Sequence, residues 1–164
     1  MSVKVLVIMG VSGSGKTTVG RGFAEAAGWA FEEGDRWHPP ANVEKMRSGR
    51  PLEDADRWPW LDALAQAIGE WITTDRRTVL ACSALKQAYR ARLSGGSHEV
   101  AFAYLKGTPE LVGSRVSSRH HEYMPPTLLP SQFAALEEPS GAIVLDIQKP
   151  PAELILGLRQ VLGV

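Results

Sequence analysis

The chain has 164 residues, enough for one well-filled core and too few for two ordinary domains. Lys plus Arg and Asp plus Glu balance at 18 each, so no basic field draws it to nucleic acid or a membrane surface, and no apolar run nears the roughly 20 residues that span a bilayer. The single cysteine, Cys82, excludes an internal disulfide, and the chain enters its first apolar run without a signal-like segment, so the expectation is a soluble protein of a reducing cytoplasm.

Residues 3–9 form an apolar run that reads as a first strand and stops where glycines begin. Gly10-Val11-Ser12-Gly13-Ser14-Gly15-Lys16-Thr17 follows, a complete phosphate-binding P-loop, with Thr18 after it. Backbone N–H groups wrap a triphosphate only where side chains are absent, which the three glycines supply. Lys16 is placed to reach the outer phosphates and the Thr17 hydroxyl to ligate Mg²⁺. The helix predicted over 17–27 points its positive end at the anion. ATP or GTP is therefore the expected ligand.

A weaker strand is predicted at 29–32, and a polar segment with three prolines, 33–56, then interrupts the regular pattern. Beyond it come a helix from about 57 to 73, a strand at 78–82, a helix at 85–93, a strand at 100–105 and a helix at 109–118. Thr108-Pro109-Glu110 starts that last helix well, with a capping hydroxyl, a proline in the first turn and an acid facing the dipole. A second irregular segment, 119–130, precedes a strand at 142–146 and a final helix with Leu154, Ile155, Leu158, Val161 and Leu162 on one face. Five strands alternating with helices imply right-handed crossovers and an α/β fold of three layers, a parallel sheet covered on both faces. Loops beyond the strand ends build the site in such folds, so 33–56 reads as a substrate-holding segment and 119–130 as a lid.

A GTPase or motor ATPase needs an Asp ending a second apolar strand for its metal. The strand at 78–82 runs instead into Cys82-Ser83-Ala84-Leu85-Lys86, which carries no acid. Acids follow the second strand, in Glu32-Glu33-Gly34-Asp35. On an extended segment Glu33 and Asp35 point the same way, one toward metal-bound water and the other toward an acceptor hydroxyl.

The chain resembles the gluconokinases, which phosphorylate D-gluconate at its 6-hydroxyl with ATP. The resemblance rests on residues 9–18, Gly34-Asp35-x-x-His38-Pro39, Asn42-Val43-Glu44-Lys45-Met46-x-x-Gly49-x-Pro51-Leu52 and Asp54-x-Asp56-Arg57-x-Pro59-Trp60-Leu61. Cys82-Ser83-Ala84-Leu85-Lys86-x-x-Tyr89-Arg90 and Ser131-Gln132-Phe133-x-x-Leu136-Glu137 complete it. It implies a single P-loop kinase domain over 1–164, sheet order 2-3-1-4-5, a fold shared with shikimate and nucleoside monophosphate kinases, and a homodimer. Two departures stand out. Glu33 replaces the family's usual Asp, and His121-Glu122-Tyr123 stands where the lid often reads Gly-His-Phe before Met-Pro.

By analogy with related small-molecule kinases, Asp35 is expected to contact the acceptor hydroxyl and accept its proton, while Thr17 and Glu33 serve Mg²⁺. Gluconate is a polyol with a carboxylate, so Lys86 and Arg90, four apart on a predicted helix, are candidates for its acid end. His38, Arg57 and Ser83 complete the acceptor set, with structural roles equally open for His38 and Arg57. Arg115 is assigned to the adenine base, with Ile147 and Gln148 in the loop beside it, and Arg119 to the transferring phosphoryl group. His120 and His121 lack metal-site spacing, and Cys82 reads as a buried strand end. A shikimate site would call for a glycine-rich turn where Ser83-Ala84-Leu85-Lys86 stands, and a nucleotide-dependent switch would bind ATP without acceptor-dependent turnover.

Overall fold

The computed structural model describes residues 2–117 and 126–164. Strands β1 (Val5–Met9), β2 (Ala30–Glu33), β3 (Thr78–Ala81), β4 (Val100–Lys106) and β5 (Ile143–Asp146) form one parallel sheet in the order β2-β3-β1-β4-β5. This is the expected order. Helices α1 (Lys16–Ala27), α2 (Pro40–Arg47), α3 (Asp54–Thr73), α4 (Gln87–Ser94), α5 (Pro109–Ser117), α6 (Leu129–Ala135) and α7 (Pro151–Leu162) connect and cover it. Among the described residues no helix is long and apolar enough to cross a membrane.

Every residue of β1 is buried, because the strand lies between β3 and β4 and is roofed on both faces. Alternation still operates within that unbroken apolar run. Leu6 and Ile8 pack with Val19 and Phe23 of α1, Val112 of α5 and Leu158 of α7. Val5, Val7 and Met9 turn the other way, onto Trp60, Leu61, Leu64 and Ile68 of α3 and Tyr89 of α4. All five strands run in one direction, so their C-terminal ends, at Met9, Glu33, Ala81, Lys106 and Asp146, share one edge of the sheet.

The two irregular segments contain more helix than periodicity revealed. Residues 33–56 fold as a 3-10 turn over Gly34–Trp37 and then α2, while α6 starts inside the segment read as a lid. Helix α3 starts at Asp54 rather than near 57, because Glu53 and Asp56 make a capping box in which the Glu53 N–H donates to Asp56 Oδ2 at 2.8 Å.

Candidate active site

The P-loop follows β1 and bends through left-handed backbone at Gly13 (φ 81°) and Gly15 (φ 105°) before α1 begins at Lys16. A side chain at Gly13 would meet Val116 Cγ2 at 2.1 Å, so the loop lies tightly on α5. Lys16 Nζ donates to the carbonyls of Gly10 (3.1 Å) and Val11 (2.9 Å), spanning the loop from within. Burial pulls its ammonium below its ordinary pKa, opposed by the charges of Asp35 and Glu33. Among the described residues, Ser14 Oγ is the one sealed side-chain polar atom without a hydrogen-bond partner. An unsatisfied buried hydroxyl inside a glycine cradle fits a phosphate-binding loop.

Thr17, in the first turn of α1, donates its hydroxyl to Glu33 Oε2 at 2.5 Å. Burial raises the Glu33 carboxyl, with a further push from Asp35. Two oxygen donors in contact beside the P-loop, one of them a carboxylate that would gain from a nearby cation, suit Mg²⁺. Among the described residues no three His, Cys, Asp or Glu side chains cluster as metal ligands.

Asp35 reaches the same cavity by a different route from the one expected. The 3-10 turn at Gly34–Trp37 replaces extended backbone after Glu33, so turn geometry rather than strand alternation sets the two acids together. Gly34 makes this turn possible: a Cβ there would lie 2.5 Å from the Ala81 carbonyl and 3.2 Å from Cys82 Cβ. Trp60 of α3, 1% exposed, donates Nε1–H to the Gly34 carbonyl at 2.8 Å and stacks on His38 with ring centroids 4.0 Å apart. Burial, with Arg57 adding to it, pulls the His38 pKa to about 4, so the imidazole is neutral near pH 7. Cys82 is fully buried at the end of β3, and its thiol is pushed up to about 12, chiefly by burial, which leaves no thiolate nucleophile.

Lys16, Thr17, Glu33, Asp35, His38 and Trp60 line one cavity of about 290 Å³. Its lining includes Ser12, Gly13, Gly15, Lys16, Thr17 and Thr18 from the P-loop and the start of α1, together with Glu33, Asp35, His38, Arg57 and Ser83. Arg57 NH1 donates to the Leu52 carbonyl (2.8 Å) and to Tyr89 Oη (3.2 Å). Its partners are thus a carbonyl and a phenol, not the acids beside it in sequence. Arg115 NH2 donates to the Ile147 carbonyl at 2.7 Å, which joins α5 to the loop after β5. Ile147 is buried, and Gln148 is exposed with its N–H on Asp146 Oδ1 at 2.9 Å. Arg119, His120, His121 and the first part of the segment read as a lid lie outside the described residues.

Neither Lys86 nor Arg90 lines this cavity. Helix α4 begins at Gln87, and Lys86 is its extended N-cap (ψ 150°), so the two are not successive residues on one helical face. Lys86 Nζ pairs with Asp54 Oδ1 at 3.0 Å near the surface. Arg90, 4% exposed, donates to the carbonyls of Ala84 (2.7 Å), Leu85 (3.1 Å) and Glu137 (2.8 Å), bracing the turn that carries Ser83.

Trp60 and Gln132 also line the cavity and were not singled out from sequence. Gln132, 6% exposed on α6, accepts the Ser12 N–H at Oε1 (3.3 Å) and so ties α6 to the P-loop. Both stand in motifs already noticed, Pro59-Trp60-Leu61 and Ser131-Gln132-Phe133, but only tertiary structure brings them to the site. The expected result for Trp60→Phe, which keeps a ring against His38 and loses the bond to Gly34, is a stability loss of about 1–3 kcal/mol by urea unfolding. Turnover should fall by about tenfold as Asp35 loses its fixed position. Unchanged turnover in a folded variant would show that this bond does not position the turn.

A family model described as shikimate kinase matches residues 12–132. The chain is 48% identical over 136 residues to a gluconokinase of Gluconobacter oxydans (strain 621H), a match covering 83% of this chain and 76% of that one. Among solved structures it is similar to a sugar kinase from Janibacter sp. HTCC2649, with TM-score 0.93 and 42% identity across 99% of this chain and 95% of the other. It is likewise similar to a gluconokinase from Sinorhizobium meliloti 1021, with TM-score 0.83 and 40% identity across 99% and 96% of the two chains.

Proposed function

This chain belongs to the gluconokinase family of P-loop kinases, and on that premise we propose that it transfers the γ-phosphoryl group of ATP to the 6-hydroxyl of D-gluconate. The products are ADP and 6-phospho-D-gluconate. The observation that supports this reading is the cavity that P-loop residues share with Asp35, His38, Arg57 and Ser83, which would bring phosphoryl donor and acceptor into one space.

On this reading the backbone of residues 10–17 and Thr18 hold the triphosphate, and Lys16 follows the charge of the transferring group. Thr17 and Glu33 would hold Mg²⁺, which supplies neutralisation of phosphate charge. Asp35 orients the 6-hydroxyl. As its oxygen bonds to the γ-phosphorus and the bond to the β-bridging oxygen breaks, the carboxylate takes the hydroxyl proton. Arg57, the cation on the acceptor side of the cavity, is assigned the carboxylate of gluconate, with His38 and Ser83 on its hydroxyls. Arg115, with Ile147 and Gln148, borders the adenine, and Arg119 is assigned to the phosphoryl group in transfer. We place the enzyme in the cytoplasm, as a homodimer.

The test is ADP release with gluconate, shikimate, AMP or no acceptor. Stimulation by gluconate alone is the expected result. Equal rates in every tube would overturn the reading in favour of a nucleotide-dependent switch, and stimulation by shikimate or AMP would reassign the acceptor.

A further inference from the structure

We infer that Asn42 sets the tautomer of His38, so that the imidazole offers its Nε2–H to the acceptor substrate as a fixed hydrogen-bond donor; the substrate half of this inference rests on the gluconate reading. Asn42 is 4% exposed on α2, and nothing in the proposed reaction uses it directly. Its Nδ2 lies 2.8 Å from the Asp56 carbonyl and 3.2 Å from His38 Nδ1. A carbonyl only accepts, so the NH₂ side of the amide must face Asp56, which settles the orientation of the Asn42 side chain. The second hydrogen of that NH₂ then meets Nδ1, which must present a lone pair. In a neutral imidazole the proton is left on Nε2.

The frame around this pair is rigid. Asp56 is anchored at the start of α3, with its Oδ2 accepting from Lys45 Nζ at 2.7 Å and from the Glu53 N–H at 2.8 Å. The His38 ring lies on Trp60 at an interplanar angle of 19°. Burial keeps the ring neutral, as described above. His38 lines the cavity, and among the described residues its Nε2 has no hydrogen-bond partner and is not sealed. A ring held in this way cannot take a proton from an acceptor hydroxyl through Nδ1, which faces Asn42. It donates through Nε2 to an oxygen of the substrate, and proton acceptance is left to Asp35.

Two-bond ¹H–¹⁵N correlation spectra of the ¹⁵N-labelled wild type at pH 7 decide the tautomer, with His38→Phe identifying the resonances. The expected spectrum shows Nε2 protonated and Nδ1 bare. In Asn42→Asp an acceptor replaces the NH₂ group, and the proton is expected to move to Nδ1. His38→Phe keeps a ring on Trp60 without the donor, and should raise the KM for gluconate about tenfold, as the loss of one hydrogen bond does. The KM for ATP should move less than twofold. A wild-type ring carrying its proton on Nδ1, or on both nitrogens, overturns the inference. So does a gluconate KM in His38→Phe within twofold of wild type. Failure of the gluconate reading is seen separately, as wild type that gluconate does not stimulate, and the wild-type spectrum still decides the role of Asn42.

Discussion

Asp35→Asn is expected to lower gluconate-dependent turnover about 10³-fold while ATP binding holds within a few-fold. Asparagine matches aspartate in size and still hydrogen-bonds, so the Gly34–Trp37 turn and the Trp60 bond to Gly34 should persist. What disappears is the carboxylate that can take the hydroxyl proton. The charge on Asp35 also raises the neighbouring Glu33 carboxyl, so its loss should lower the Glu33 pKa. Single-turnover ADP release and calorimetric ATP binding separate the two effects, and turnover within tenfold of wild type would sink the proposed role of Asp35.

Lys16→Ala is expected to reduce kcat/KM for ATP by about 10²–10³-fold, the usual cost of removing one preorganised donor from developing charge. Here the substitution acts twice. It removes the cation from the phosphates, and it removes the two bonds by which Nζ spans the Gly10 and Val11 carbonyls, so loop geometry loosens as well. Both ATP affinity and turnover should suffer. Lys16→Arg is not expected to rescue the loss, because a planar guanidinium cannot replace a compact ammonium between two closely spaced carbonyls. Retention of turnover within tenfold in Lys16→Ala would remove this lysine from the chemistry.

Much of this architecture was legible in the chain, for identifiable reasons. The P-loop is contiguous, so its residues needed no tertiary information to be placed together. Alternating strands and helices revealed the layers, whereas the strand order came from family resemblance, since buried parallel strands look alike. Sequence and structure part where local rules meet long-range contacts. Lys86 and Arg90 have helical spacing, but α4 begins after Lys86, and the buried Arg90 is surrounded by carbonyls from two other segments. Glu33 and Asp35 border one cavity, but a 3-10 turn rather than extended backbone brings Asp35 there. Helix α6 has only seven residues with a proline in its first turn, too short for periodicity to register. Gln132 gains its meaning only from contact with Ser12, 120 residues away in sequence.

The tight seat of Gly34 against β3 bears on how such a site evolves. With the Ala81 carbonyl where any Cβ would stand, the acid-bearing turn is fixed to the sheet, and the reach of Asp35 cannot be adjusted by substitution at position 34. Another part of the lining has no such restriction. Met46, Leu52 and Leu128 form a small apolar cluster of their own, come from two separate parts of the chain, and all border the cavity. Changes of side-chain volume there would resize the acceptor space without moving the P-loop or the acid. Drift in acceptor range within this lineage should therefore accumulate at those three positions, while Gly34 stays invariant.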